Sequence, residues 1–382
     1  MNAETNPRTM PGTMMVLGTN AGQADLIRHM KARGWRVVGC SPVAGEPGQA
    51  HCDVVEAVNI ADLDALEQVA ARHNPDLVYS ISSDVAIRSA VALSERLGLP
   101  HFHDSAFIDL LDDKAALRAF LASHDLSPVP FRKVTQPDQA ADWSVFPCMV
   151  KPTDAQGQRG VQRIDHPRDL APAITSAAAA SRSGQAIVEA FLDGIEVSCN
   201  VLVCGGQARL KVLSQRLVHG PHAPGVPIGH LIPARDVPEA DRAQAVALVD
   251  RILAAMGMPD GPLYFQMIMT PDGPRVVEIA PRLDGCHMWR LIKAAHGVDL
   301  LEMTVDCLLG QPGAPGHATT DDGLPVWELM FQQMPPGTVF DPAPFPVPAG
   351  SVHHEYRYRT GETVRAVNGY LDVVGYYVRC AP

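Results

Sequence analysis

The chain has 382 residues, of which 46% are hydrophobic, and carries a formal net charge of -11. This length is typical of two or three structural units with a substantial core. Because an acidic chain repels phosphate backbones, the charge argues against a general nucleic-acid-binding role.

Neither the first residues nor the cysteines indicate export or a membrane span. Residues 1–12 are polar, contain two prolines and lack the apolar stretch of a signal peptide, so we expect a disordered tail. No run approaches the ~18 apolar residues of a membrane-spanning helix. The eight cysteines are scattered without a Cys-x-x-Cys pair. This pattern predicts reduced thiols in a cytoplasmic protein rather than a disulfide framework.

The first predicted unit has a repeating β-α-β pattern. A short apolar run ending at Gly18 predicts a strand, and Gln23–Arg33 predicts the helix after it. The alternation favours a Rossmann-like parallel α/β domain. The spacing Gly18-x-x-x-Gly22 is not Gly-x-Gly-x-x-Gly, and no acidic residue ends the second strand. A dinucleotide site is therefore disfavoured against a structural layer that helps to hold a substrate.

The rest of the chain predicts mixed α/β and α+β structure. Asp112–His124 predicts one helix, residues 131–191 a small α+β subdomain, and the stretch up to Gly310 alternating strands and helices. Alternating apolar residues in Val352–Val378 predict a small C-terminal β appendage. The predicted domain limits are 1–12, 13–104, 105–192, 193–310 and 311–382.

A lysine closes the apolar strand Phe146–Lys151, and a glycine-containing turn follows with Gly157 and Gly160. Burying a lysine is costly unless a negative group meets it. Backbone N–H groups of such a turn can bind a phosphate. The segment therefore indicates an anion site.

A second signal is a predicted hairpin, with strands on both sides of Asp272-Gly273. It places Gln266 and Glu278 on neighbouring strands, where both side chains can reach one hard cation. Arg282 follows the return strand.

In their order and spacing, these motifs resemble the ATP-grasp superfamily, in particular members similar to one half of the carbamoyl-phosphate synthase large subunit. The resemblance covers residues 14–310, and it implies a pre-ATP-grasp domain, a lid subdomain within 105–192 and a metal and substrate domain in 193–310. The matching stretches are Asp113–Leu117, Val150–Pro152, Glu189–Ser198, Val277–Arg282 and Gly297–Leu300.

The resemblance implies ATP with Mg²⁺, or Mn²⁺, as cofactors. The residues that it assigns to ATP are Lys114, Lys151, Gly157, Gly160, Glu189, Phe191 and Glu196, with Lys151 also catalytic. Gln266 and Glu278 would hold the metal, and Arg282 would bind the transferred phosphoryl group. Ala280 departs from the family, which usually has asparagine there, and Asn200 or a water is the possible replacement ligand.

The reaction that the resemblance implies joins a small carboxylic acid to an amine through an acyl phosphate, in a biosynthetic pathway. The expected partners are small-molecule substrates and a second copy of the chain in a homodimer. Two alternatives stay open at this point. One is a bicarbonate-activating carboxylase or synthase, and the other is a regulatory protein that holds ATP without turnover, which Ala280 keeps open.

Five further residues are candidates for substrate contact: His219, His222, His230, Asp284 and Arg290. The histidines equally fit a structural loop, and a zinc site from His219 and His222 has poor spacing with no cysteine close by. Arg290 fits either a carboxylate clamp or a solvated helix residue. Trp289 is expected in the core.

Overall fold

A computed structural model describes residues 11–155, 159–220, 225–311, 323–366 and 370–381, and these form three β-sheets with helices packed on them. The strands are β1 (Thr13–Leu17), β2 (Arg36–Cys40), β3 (Val54–Glu56), β4 (Leu77–Tyr79), β5 (Phe131–Val134), β6 (Cys148–Pro152), β7 (Gln162–Ile164), β8 (Ala186–Ala190), β9 (Ile195–Val203), β10 (Ala208–Val218), β11 (Pro227–Ile232), β12 (Gly261–Thr270), β13 (Gly273–Ala280), β14 (Trp327–Met334), β15 (Ser351–Tyr356) and β16 (Asp372–Cys380).

The helices are α1 (Ala21–Ala32), α2 (Leu63–His73), α3 (Asp84–Leu97), α4 (Ser105–Asp112), α5 (Lys114–Ser123), α6 (Leu170–Ala180), α7 (Glu239–Ala255), α8 (Met288–His296) and α9 (Leu300–Leu308). In the described ranges, none of these is long and apolar enough to cross a lipid bilayer.

The first sheet is parallel, with strand order β3-β2-β1-β4. Its opening turn suits the local sequence, because Gly18 has a φ of 85° and the Asn20 side chain accepts hydrogen bonds from the N–H groups of Gly22 and Gln23. Apolar residues such as Leu17 and Val38 are fully buried in the core beside it. The parallel α/β domain predicted from the sequence is confirmed.

The second sheet is small and antiparallel, with order β5-β8-β6-β7, and α6 packs on it. The helix predicted for Asp112–His124 is present as α5, and a further helix, α4, precedes it with a break at Asp113 between the two. The Asp113 side chain accepts hydrogen bonds from Ala115 N (2.8 Å) and Ala116 N (3.2 Å), which caps α5. The break makes Lys114 the first residue of a helix.

The third sheet has eight strands in the order β13-β12-β9-β10-β11-β14-β16-β15, all paired antiparallel. The predicted C-terminal β strands are present, but they extend this central sheet because β14 pairs with β11. Trp289 on α8 is buried in the core, as predicted. The limits predicted for the five segments stay a prediction.

One pair of cysteines departs from the expectation of reduced thiols. Cys204 and Cys307 form a disulfide that joins the end of β9 to α9. Sequence spacing could not predict this pairing, because 103 residues separate the two cysteines and only the fold brings them together. Six cysteines are free thiols.

Candidate functional site

A small cleft lies between the α4–α5 break and β13. Its polar lining consists of Asp84, Asp112, Lys114 and Glu278. Two residues predicted from separate motifs, Lys114 and Glu278, therefore line the same cleft.

Lys114 is tied to the segment that follows β6. Its backbone N–H donates to Thr153 O (3.0 Å), and its ammonium donates to Ala155 O (2.7 Å). Burial lowers the pKa of Lys114, while Glu278 opposes this and the Lys151 ammonium adds to it. No carboxylate in the described ranges pairs with Lys114 within ion-pair distance. A partly buried ammonium whose partner in the described ranges is a backbone carbonyl can bind an anion.

Lys151, at the end of β6, meets a negative group as its position predicted. Its ammonium pairs with Glu189 on β8, and Arg118 Nε donates to the other Glu189 oxygen at 2.8 Å. Burial alone would raise the pKa of Glu189, but Arg118 and Lys151 together lower it to about 2. The Glu189 carboxylate is thus ionised and held by two cations.

The predicted metal hairpin forms with the expected register, since Gln266 on β12 lies opposite Glu278 on β13. The Gln266 amide nitrogen donates to Glu196 (3.0 Å), and Glu196 also pairs with Arg216. Because the amide nitrogen of Gln266 donates to Glu196, its carbonyl oxygen is the atom left to face a cation. The hairpin therefore presents one carboxylate and one amide carbonyl, which are ligand types that Mg²⁺ accepts.

Asn200, the possible replacement for the asparagine that is absent at position 280, lies in the same row of residues across the sheet as Ala280. Tyr264 is opposite Ala280 on one side and opposite Asn200 on the other, so the three side chains share one face of the sheet. The Asn200 amide nitrogen is buried and has no hydrogen-bond partner. Tyr264 separates Asn200 from β13, which leaves a role for Asn200 as a metal ligand untested.

Arg282 forms a bidentate salt bridge with Asp84, the first residue of α3. Its Nε and Nη2 (3.0 Å) donate to the two Asp84 oxygens, and Nη1 donates to Leu283 O (3.1 Å). Burial would lower the pKa of Arg282, but Asp84 and then Glu278 raise it above its ordinary value. The guanidinium is permanently charged and fixed in direction beside the cleft.

Phe191 and Gly160, both predicted to contact ATP, each have a structural role within the protein. The Arg163 guanidinium stacks 4.2 Å from the centre of the Phe191 ring. Gly160 has a φ of 71°, and a side chain there would come within 2.9 Å of Pro152. Gly157 and His222 lie outside the described residues.

The other residues predicted to contact substrate, His219, His230 and Asp284, differ in burial and in hydrogen-bond partners. His219 Nε2 hydrogen-bonds Gln333 on β14 (2.9 Å). His230 is fully buried, and burial lowers its pKa to about 4 although Asp284 opposes the shift. Asp284 is also buried, and one of its oxygens accepts a hydrogen bond from Cys286 N at 3.0 Å.

Arg290 has a structural partner, so its reading as a solvated helix residue is wrong. Its Nε and Nη2 donate to the two oxygens of Asp25 on α1, at 3.0 and 2.6 Å. Trp289 Nε1 donates to the same carboxylate at 2.8 Å. The contact of Arg290 with a substrate carboxylate stays a prediction.

Sequence reasoning missed the protein partners of the predicted residues: Asp84, Arg118 and Arg216. The sequence contained a signal for Asp84, because an acidic residue soon after a parallel strand lies at the sheet edge where ligands bind. Arg118 follows Lys114 by four positions, which places both on one face of α5. Arg216 had no such signal, since only strand pairing brings it to Glu196.

The sequence profile of the ATP-grasp domain family matches residues 144–289, which include Lys151, Glu189, Glu196, Gln266, Glu278 and Arg282. An ATP-grasp domain is therefore assigned to residues 144–289. The match extends from the small sheet with its lysine to the start of α8.

Known proteins support the same family. A formate-dependent phosphoribosylglycinamide formyltransferase of Synechococcus sp. (strain CC9605) is 30% identical over 195 residues, which are 48% of this chain and 48% of that protein. A carbamoyl phosphate synthase large chain of Pseudothermotoga lettingae is 24% identical over 64% of this chain and 22% of its own length. The chain spans about half the length of the formyltransferases that it matches.

A solved structure shares its fold with nearly the whole chain. The crystal structure of an L-amino acid ligase from Bacillus licheniformis superposes with a TM-score of 0.79, covering 96% of this chain and 93% of that one at 16% identity. At this identity the likeness concerns the fold.

Proposed function

We propose that this protein is an ATP- and Mg²⁺-dependent ligase that joins a small carboxylic acid to an amine through an acyl phosphate. The observation that carries the proposal is the meeting of Lys114 and Glu278 in one cleft, with Lys151 close enough to influence the pKa of Lys114. A triphosphate needs cations on one side and metal-holding oxygens on the other. The ligase relatives and the formate dependence stated in the name of one relative support the reaction class.

The two lysines would bind the ATP phosphates. Lys114 has no carboxylate partner among the described residues, so a phosphate oxygen would complete its contacts. Lys151 shares Glu189 with Arg118, and the pair of cations leaves excess positive charge near the cleft. Phosphate binding would relieve the cost of burying that charge.

The donor set suits a magnesium ion, because the Glu278 carboxylate and the Gln266 carbonyl are both oxygen ligands in register on one hairpin. When bound there, Mg²⁺ would neutralise phosphate charge and orient the γ-phosphoryl group. Glu196 holds the Gln266 amide by its nitrogen, so it fixes which atom faces the cation.

Arg282 would orient the phosphoryl group as it passes to the substrate carboxylate. Asp84 fixes the guanidinium in the folded protein, so little entropy is lost when an anion binds. The amine then attacks the acyl phosphate, an amide bond forms, and phosphate leaves. The protein contributes charge and positioning to these steps rather than a nucleophile of its own.

The two alternative functions make different predictions. A bicarbonate-activating enzyme is favoured by the similarity to the carbamoyl phosphate synthase chain, and its ADP formation would depend on bicarbonate. A regulatory protein is favoured by Ala280, and it would bind ATP without forming ADP. Arg290 and His219 stay candidates for substrate contact, and each has a protein partner, Asp25 and Gln333.

The test is phosphate release from ATP with pools of amino acids and small carboxylic acids, each with and without added amines. We expect release only when an acid and an amine are both present, and a loss of about 100-fold or more in Glu278→Gln. The matched control is Glu239→Gln, at an exposed glutamate on α7. Release with bicarbonate alone, or equal rates in both variants, would overturn the proposal.

A further inference from the structure

Three side chains of different chemistry converge behind the central sheet. His230 comes from β11, while Asp284 and Cys286 come from the loop between β13 and α8. One candidate ligand atom from each lies within 4.8 Å of the other two. His230 is 0% exposed and Asp284 is 4% exposed, whereas Cys286 is half-buried.

Two polar atoms in this cluster have no hydrogen-bond partner among the residues that the structure describes. One is the second oxygen of Asp284, since its first oxygen accepts from Cys286 N. The other is Nε2 of His230. A buried polar atom without a partner costs about 1–3 kcal/mol, so such atoms usually mark an absent water, ion or ligand. Here two of them belong to one cluster.

Ser214 contacts one ring nitrogen of His230 and leaves the other available for a ligand. The Ser214 hydroxyl lies 3.3 Å from His230 Nδ1 and 3.4 Å from Ser198 O. When this hydroxyl donates to Ser198 O and accepts from Nδ1–H, Nε2 carries a lone pair. Metal-binding histidines in proteins are oriented in this way by a partner on the other nitrogen.

The charges also suit a divalent cation. Arg216 lies opposite His230 in the strand register, but its guanidinium already pairs with Glu196. One carboxylate and one thiolate would balance two positive charges, which makes the complex neutral in a buried place. Thiolate, imidazole and carboxylate together select zinc-like ions, whereas Mg²⁺ prefers oxygen ligands alone.

We propose that His230, Asp284 and Cys286 form a binding site for a zinc-like divalent transition-metal ion, separate from the oxygen ligands Gln266 and Glu278. Binding converts the Cys286 thiol to a thiolate and releases its proton to solvent. Three protein ligands leave a fourth tetrahedral position for water or another small ligand. The proposal does not depend on the ligase reaction, because the metal alone occupies the site.

The probe is Co²⁺, added to chelator-treated protein in the presence of excess Mg²⁺. We expect one Co²⁺ per chain, with the near-ultraviolet charge-transfer band of a thiolate ligand and the visible bands of tetrahedral coordination. Zn²⁺ should displace the Co²⁺ and remove both signals. The absence of a thiolate band in the wild-type protein would overturn the proposal.

Variants identify the ligands. Cys286→Ser should lose the thiolate band, while Cys52→Ser, at a half-buried thiol beside the first sheet, should keep it. Ser214→Ala removes only the group that orients His230, so Co²⁺ affinity should fall about 10- to 100-fold while the band survives. Circular dichroism checks that each variant is folded. A band that persists in Cys286→Ser, or is lost in Cys52→Ser, would contradict the assignment.

Discussion

The Glu189 carboxylate is shared by two cations from different elements, Arg118 of α5 and Lys151 of β6. Such a buried group contributes little net stability as a pair, but its removal is costly because the partners stay charged. The same residue sets the position of Lys151, which we assign to a phosphate. At the scale of single residues, stability and ligand binding therefore depend on the same ion pairs.

We expect Glu189→Gln to lower the free energy of unfolding by about 3–5 kcal/mol, because Arg118 and Lys151 lose their buried counter-charge. Urea unfolding at neutral pH measures this loss, with Glu239→Gln as the control. A change below about 1 kcal/mol would show that solvent already compensates the two cations.

The same carboxylate makes stability depend on pH. Its folded pKa of about 2 lies below the ordinary value of 4.5. Its contribution is therefore complete above about pH 4.5 and is lost as the pH falls toward 2. Wild-type stability should decline through this window, and the decline should be smaller in Glu189→Gln. Parallel curves for the two proteins in acid unfolding would contradict this assignment.

At the scale of secondary-structure elements, the break between α4 and α5 places Lys114 at the first position of α5. Asp113 caps α5, and its second oxygen accepts from Lys133 at 3.2 Å. The exposed Asp113–Lys133 ion pair contributes little to stability, whereas the helix cap contributes about 1 kcal/mol.

Asp113→Ala should therefore destabilise the protein by about 1 kcal/mol and weaken ATP binding, since the first turn of α5 carries Lys114. Asp113→Asn keeps the capping oxygen and loses only the charge, so it should restore most of both properties. Thermal unfolding and nucleotide titration measure the two effects. Equal losses in Asn and Ala variants would mean that the cap is not the cause.

The hairpin and the α5 break show what local sequence can predict. The turn at Asp272-Gly273 fixes a short-range register, so the pairing of Gln266 with Glu278 was predictable. The start of α5 at Asp113-Lys114 was predicted too, whereas the short helix α4 before it was not. The partner of β14 was also not predictable, since its pairing with β11 joins strands far apart in sequence.

At the scale of the whole molecule, ion pairs tie the parallel α/β unit to the chain that follows β13. Asp84 holds Arg282, Asp25 holds Arg290, and Arg33 pairs with Asp306. None was foreseen, although Arg282 and Arg290 were singled out, because the partners lie at least 198 residues apart in the chain. The sequence motifs named these two arginines, whereas the fold determines what they contact.

The Cys204–Cys307 disulfide also acts at this scale, since it closes a loop with a sequence separation of 103 residues. In the chain-entropy description, a loop of this length stabilises the folded state by about 4–5 kcal/mol. Alkylation in denaturant without reductant should label the six free cysteines, and a reductant should lower the unfolding midpoint. Labelling of all eight without reductant would contradict the pairing.

The most direct test of the account is the affinity of the protein for a magnesium complex of a non-hydrolysable ATP analogue, measured by calorimetry. We expect Lys114→Met and Glu278→Gln each to weaken binding at least ~10-fold, because each removes one of the charges that meet in the cleft. Lys293→Met and Glu239→Gln, at exposed surface residues, should bind as the wild type does. Equal affinity in all five proteins would contradict the claim that these residues form one nucleotide site.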